Sequence, residues 1–188
     1  MEKRKIVVLG ANGKTGRKVA DILESKGENV VRGSRQASPP FDWHQPEQWS
    51  KVLRGAERMY IAYQPDLAVP GALEAIEKLV EVAKDEGLQK LVLLSGKGEK
   101  EAELCEQVII NSELDYTIVR ASWFNQNFSE SFFLPAILSG DVALPVAQAK
   151  VPYVDTDDIA AVVAKVLLNA EHNGQIYELT GPRLLNFR

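Results

Sequence analysis

Apolar positions along this chain fall into short continuous runs that alternate with stretches of helical spacing. Ile6, Val7, Val8 and Leu9 form an aliphatic, largely β-branched run, the pattern of a strand buried on both faces. Val19, Ala20, Ile22 and Leu23 then recur on one helical face, and Gly27 predicts where that helix stops. Asn29–Arg32 reads as a second strand, and a short third strand is expected before Asp42-Trp43. Met59–Ala62 follows as a strand, and Gly71–Glu86 as a helix with Leu73, Ile76, Leu79, Val80 and Ala83 on one face. Lys90–Leu94 and Tyr116–Val119 read as strands flanking a helix over Glu99–Asn111. Thr156 is placed to cap a helix through Leu168, with Asp157 and Asp158 favourable to its dipole, and Ile176–Leu179 is the last strand. Such alternation predicts right-handed crossovers and a doubly wound parallel α/β sheet, one domain over residues 1–188.

Between the first strand and the first helix lies Gly10-Ala-Asn-Gly-Lys-Thr-Gly16. Gly10 permits a tight turn, Gly13 lets backbone approach a pyrophosphate, and Gly16 lets helix and strand pack closely. Free N–H groups at the helix start face the anion. Gly10, Asn12, Gly13, Lys14, Thr15 and Gly16 are therefore candidate dinucleotide contacts. Gly13-Lys14-Thr15 also looks like the end of a nucleotide-triphosphate loop, but that motif needs glycine where Val8 stands. An NAD-specific site would place an acid at the end of the second strand. Here the sequence reads Arg32-Gly-Ser-Arg35, with no acid. Guanidinium groups fork onto phosphate, so the pattern favours NADP(H) over NAD(H), with Ser34 and Arg35 on the 2′-phosphate. Ordinary surface charge is the alternative for Arg32 and Arg35.

Ligands of a parallel sheet gather at the carboxyl ends of its strands. That adds Asp42, Trp43, Ala62, Tyr63, Ser95 and Gly96 to the candidate cofactor contacts. Trp123, Phe124 and Asn127 are candidates for a substrate pocket. Each carries a second reading: Trp123 and Phe124 as core aromatics, Asn127 as a helix cap, Tyr63 as cover for a strand end, Asp42 as a loop carboxylate.

Composition narrows the partners. The 188 residues carry a net charge of −4 with charges interspersed, so no cationic stripe invites nucleic acid. No apolar stretch approaches the roughly 20 residues that span a bilayer. The opening MEKRK leads straight into a strand, which together with the single cysteine, Cys105, suggests a reducing cytoplasm. Cys105 falls in a helix among glutamates and reads as structural. His44 and His172 have no metal-ligand spacing, and no metal is expected.

The segments GANGKTG at 10–16, LVLLSG at 91–96, DYTIVRASWFNQNF at 115–128 and VPYVDTDDIA at 151–160 resemble the NmrA-like atypical short-chain dehydrogenases. Within that family the likeness is to the NAD(P)-binding proteins grouped with ergot-alkaloid (festuclavine and agroclavine) dehydrogenases. The resemblance implies an NADP(H)-type Rossmann fold of the atypical, extended kind. It puts Arg35 near the adenosine 2′-phosphate and residues after the 116–119 strand beside the nicotinamide. Family members run beyond a segment like ELTGPRLLNFR, so a small or truncated substrate lobe is expected. Leu184, Leu185 and Phe187 would begin a helix without completing its stripe, and apolar surface around 122–138 would be covered by self-association into a homo-oligomer.

Catalysis departs further from the larger superfamily, which uses a Tyr-x-x-x-Lys pair to pass a proton. Four residues beyond Tyr60, Tyr63, Tyr116, Tyr153 and Tyr177 stand Gln64, Leu67, Arg120, Asp157 and Gly181. None is lysine. Catalytic residues stay unassigned, and substrates needing no protein acid fit best. The favoured reading is an NAD(P)H-dependent oxidoreductase that reduces a small conjugated, quinone-like or iminium substrate. The alternative is a non-catalytic, NmrA-like dinucleotide sensor that binds a protein partner.

Overall fold

Alternate residues of the first aliphatic run pack to opposite sides of a parallel sheet. The computed structural model describes residues 5–131, 133–143 and 148–186. In it, β1 (Lys5–Leu9) sends Ile6 and Val8 into one core and Val7 and Leu9 into the other. The other strands are β2 (Asn29–Gly33), β3 (Ala56–Ile61), β4 (Lys90–Gly96), β5 (Asp115–Ala121) and β6 (Gln175–Leu179). They run parallel in the order β2-β1-β3-β4-β5-β6. Burial of both faces explains why the central strands are continuously apolar instead of alternating.

Helices cover the two faces. On the Ile6 side lie α1 (Gly16–Ser25) and α6 (Thr156–Leu168), whose Val19, Leu23, Ile159 and Val163 are fully buried with Val92 and Val119. On the Val7 side lie α2 (Trp49–Leu53), α3 (Ala72–Asp85) and α4 (Lys100–Ile110), bringing Leu53, Ile76, Leu79 and Ile109 against Leu91 and Leu93. Cys105 is buried in this layer, and burial pushes its thiol pKa up to about 11, which fits a structural role. A seven-residue helix, α5 (Phe133–Ser139), follows the loop after β5. No helix among the described residues is long and apolar enough to cross a membrane.

Three details differ from the pattern-based expectation. No strand lies between β2 and Asp42: residues 34–45 are loop, so β2 is the sheet edge. Pro39 and Pro40 cannot donate to a ladder, and the chain instead folds back so that the Phe41 amide donates to Ser34 O at 2.9 Å. The cap of α6 is Asp155, not Thr156: its carboxylate accepts from Asp157 N at 2.8 Å. Thr156 is instead the first helical residue, and its buried hydroxyl accepts from Lys18 Nζ at 2.8 Å. The tail does not enter a helix within the described residues. Leu185 pairs with Val151 in an antiparallel bridge through bonds of 2.8 and 3.0 Å. Phe132 and Phe187 fall outside the described residues.

Candidate functional site

The strand ends converge on one edge of the sheet, and the glycine turn after β1 is built by contacts that exclude side chains. Gly10 has φ +68°, and a Cβ there would sit 2.9 Å from Ala62 O and 3.2 Å from Ala62 Cβ. A Cβ on Gly16 would collide with the Gly10 carbonyl, so helix α1 can start against the strand end only with glycine at this place. Gly13 N closes the turn on Gly10 O at 2.8 Å, and Ala11 N reaches Gly33 O at 3.3 Å. Thr15 does not cap α1: its buried hydroxyl accepts from Tyr60 OH at 2.9 Å inside the core. The leading N–H groups of α1 are thus left without a side-chain cap, as an anion site requires.

A cavity of about 680 Å³ runs from this turn across the ends of β1 and β2. Of the candidate cofactor contacts, Gly10, Asn12, Gly13, Ser34, Arg35, Asp42 and Trp43 line it, together with Gly33, Gln36, Phe41, His44, Gln64 and Pro65. Arg32 is not among them. It turns back onto α1, where its guanidinium bonds Asp21 at 2.5 Å and Glu24 at 2.7 Å, leaving Arg35 as the guanidinium of the cavity. Asn12 Nδ2 donates to Gln36 Oε1 at 2.6 Å and ties the glycine turn to the loop after β2. At the wall, Trp43 packs at 4.6 Å on Tyr63 and at 4.9 Å on Phe41. Asp42 Oδ1 accepts from His44 N at 3.0 Å and its carbonyl accepts from Trp49 Nε1 at 2.7 Å, so this carboxylate shapes the loop.

A second cavity, about 520 Å³, lies over the ends of β4 and β5, and Pro65 lines both. Lys14, Tyr63, Ser95, Gly96, Trp123, Phe124 and Asn127 line this second space. Lys14 and Tyr63 thus stand with the substrate candidates, whereas Thr15, Gly16 and Ala62 line neither cavity and shape the first from behind. Asn127 is no helix cap in function: its Oδ1 accepts from Lys14 Nζ at 3.0 Å, and burial lowers the Lys14 pKa. Trp123 is 46% exposed, which rules out a core role, while Phe124 is partly buried against the Ile6 core.

Two supports behind this cavity carry no sequence signature. Gln126 bridges the loop to α6: its Nε2 donates to Asp155 Oδ1 at 2.9 Å, and its Oε1 accepts from Thr156 N at 3.0 Å. Glu106, fully buried on α4, accepts Ser95 Oγ at 2.6 Å and Arg120 through Nε at 2.9 Å and NH2 at 2.6 Å. The Ser95 proton therefore points inward. Burial raises the Tyr63 pKa, with Cys105 and Glu74 adding to it, so this phenol is not activated. Sequence pattern also left out Glu99, Asp66 and Leu67, which line the second cavity from just before α4 and from the β3–α3 loop.

The NAD(P)H-binding family profile matches residues 10–170, from the first glycine of the turn to just past the end of α6. The chain belongs to the NAD(P)H-binding family. This NAD(P)H-binding protein is 30% identical to the Prestalk A differentiation protein A of Dictyostelium discoideum, over 99% of its own length and 67% of that protein's. It is 28% identical to a festuclavine dehydrogenase of Aspergillus fumigatus, over 97% of this chain and 69% of the relative. Among solved structures, an NADPH-dependent quinone oxidoreductase of Escherichia coli in complex with NADPH matches with a TM-score of 0.72. The identity there is 22%, with 96% of this chain and 71% of that one covered. The resemblance to the festuclavine and agroclavine dehydrogenases and the Rossmann fold are both borne out. An uncapped helix start behind a glycine-rich turn, continuous with a long cleft, is a cradle that fits a dinucleotide.

Proposed function

We propose that this protein binds NADP(H) in preference to NAD(H) in the first cavity and reduces a small conjugated, quinone-like or iminium substrate in the second. The observation that carries the preference is Arg35, a guanidinium in the cavity wall at the end of β2, where an NAD-specific site holds a carboxylate. Ser34 and Arg35 hold the 2′-phosphate, Gly10, Asn12 and Gly13 line the pyrophosphate, and Trp43 and Asp42 frame the adenine. Bound NADPH would supply the hydride for an acceptor in the second cavity. Lys14, Tyr63, Ser95 and Gly96 line that cavity, and Trp123, Phe124 and Asn127 would enclose the acceptor. Small conjugated acceptors suit this cavity because they take hydride without a protein acid, and neither Ser95 nor Tyr63 is set to donate a proton. The festuclavine dehydrogenase and the quinone oxidoreductase among the similar proteins support the substrate class.

Calorimetric titration with NADPH and NADH tests the cofactor assignment. Tighter NADPH binding is expected; equal or tighter NADH binding would remove the 2′-phosphate role, and binding of neither would remove the reading altogether.

The inward-turned Ser95 and the unactivated Tyr63 equally favour a second reading, a dinucleotide sensor that engages a protein partner. Following NADPH absorbance against quinones, iminium ions and carbonyls separates the two, because turnover of any panel member rejects a sensor without chemistry. Self-association belongs to the same proposal. Trp123, Ile137, Leu138 and Val142 are exposed together in the stretch after β5, and light scattering at rising concentration reads whether they are covered.

A further inference from the structure

The second cavity has an unbalanced charge. Its described charged lining residues are Lys14, Asp66 and Glu99. Lys14 is engaged by Asn127 and faces Glu130 and Arg17. Asp66 is exposed, and its Oδ1 accepts from Ala68 N at 2.8 Å. Glu99 is different. It is half-buried, and its carboxylate lies against the backbone of Gly96, where a Cβ would collide with it. Among the described residues no hydrogen-bond donor or cation meets that carboxylate; its charged neighbours are Asp66 and Glu101, both acidic. Burial and these two acids raise its pKa. Lys97, close by in sequence, is paired with Glu178 outside the cavity.

A half-buried carboxylate without a counter-charge is costly, and the cost is relieved when a cation enters beside it. Trp123, Phe124 and Tyr63 line the same space, and aromatic rings attract cations through their quadrupoles. We propose that Glu99 is the specificity-determining residue of the second cavity, selecting flat aromatic cations over neutral molecules of the same shape. This rests on the reductase reading above and narrows its substrate class to conjugated cations, the iminium side of that range.

The test uses two probes of one shape, N-methylquinolinium and the uncharged 1-methylnaphthalene, titrated calorimetrically into the full chain. The cation should bind about tenfold more tightly, and added salt should weaken the cation alone. Glu99→Gln should abolish the cation's advantage and leave the neutral probe within about twofold. Asp66→Asn, at an exposed position, should change the cation's affinity by less than about threefold. A thermal melt and NADPH titration of Glu99→Gln confirm that the variant is folded. Equal effects of Glu99→Gln on both probes, or none on either, would overturn the proposal. So would a Glu99→Gln variant that weakens NADP+ relative to NADPH, since the carboxylate would then serve the oxidised cofactor ring. If the wild type binds NADPH without discriminating the probes, only this inference falls. Failure to bind NADPH removes the reductase reading whatever the probes show.

Discussion

Two arginines within four positions have opposite fates, and the difference lies in their neighbours. Arg32 points across β2 to Asp21 and Glu24 on α1, which satisfy its guanidinium, while Arg35 lies past the strand end in the wall of the larger cavity. Arg35→Ala should therefore weaken NADPH by about 1–3 kcal/mol, as for a lost charged hydrogen bond, and leave NADH nearly unchanged. Arg32→Ala should leave the NADPH-to-NADH ratio unaltered; paired calorimetric titrations check both. A third arginine works inside the fold. Arg120 neutralises the fully buried Glu106, so Arg120→Met leaves a buried carboxylate unpaired and should destabilise the protein by about 3–5 kcal/mol. Denaturant unfolding measures this, and the double variant Arg120→Met with Glu106→Leu should recover a large part of the loss.

Helix α6 shows how one element serves the site from a distance. Asp155 caps it, and Gln126 from the loop after β5 binds both the cap and the Thr156 amide, so the helix start and the cavity wall are one assembly. Asp155→Ala should cost about 1 kcal/mol at neutral pH. Hydrogen bonds from Asp157 N, Gln126 and Asn125 hold the Asp155 pKa below its usual value. A carboxyl depressed in the folded state stabilises above its unfolded pKa and loses that contribution as pH falls through the folded one. The difference between wild type and variant in urea melts should accordingly shrink as pH falls below the ordinary aspartate value of about 4. The elements that sequence pattern resolved are those with a strong period: the aliphatic strands and the amphipathic α1, α3 and α4. It failed where no period exists. Residues 34–45 are held by Phe41 packing between Trp43 and Trp49, at 4.9 and 5.4 Å, and not by any repeat. Short α2 and α5 offer too few turns to show a stripe. At the site, glycines and strand ends were legible because backbone geometry demands particular residues there. Glu99, Glu106 and Gln126 were not, because their roles arise from neighbours distant along the chain.

At the scale of the molecule, both cavities open on the edge where the parallel strands end, so their linings draw together segments from residues 10 to 131. Binding should then stabilise the fold as a whole. At NADPH a hundredfold above its dissociation constant, about 2.7 kcal/mol of added stability is expected, seen as an upward shift in Tm that Gly16→Ala abolishes. Gly16→Ala must first displace the Gly10 carbonyl, so it should also lower the Tm of the unliganded protein.

The loop at 34–45 lies outside the ladder, beyond an edge strand, and is moored by three aromatic rings. Residues 34–36 face the cleft, while the rings at 41, 43 and 49 keep the loop in place. Selection can therefore rewrite the first three without disturbing a strand register or a buried layer. If residues 34–36 set the cofactor preference as proposed, that preference can drift or be exchanged independently of foldability, and descendants that differ there should keep the same sheet.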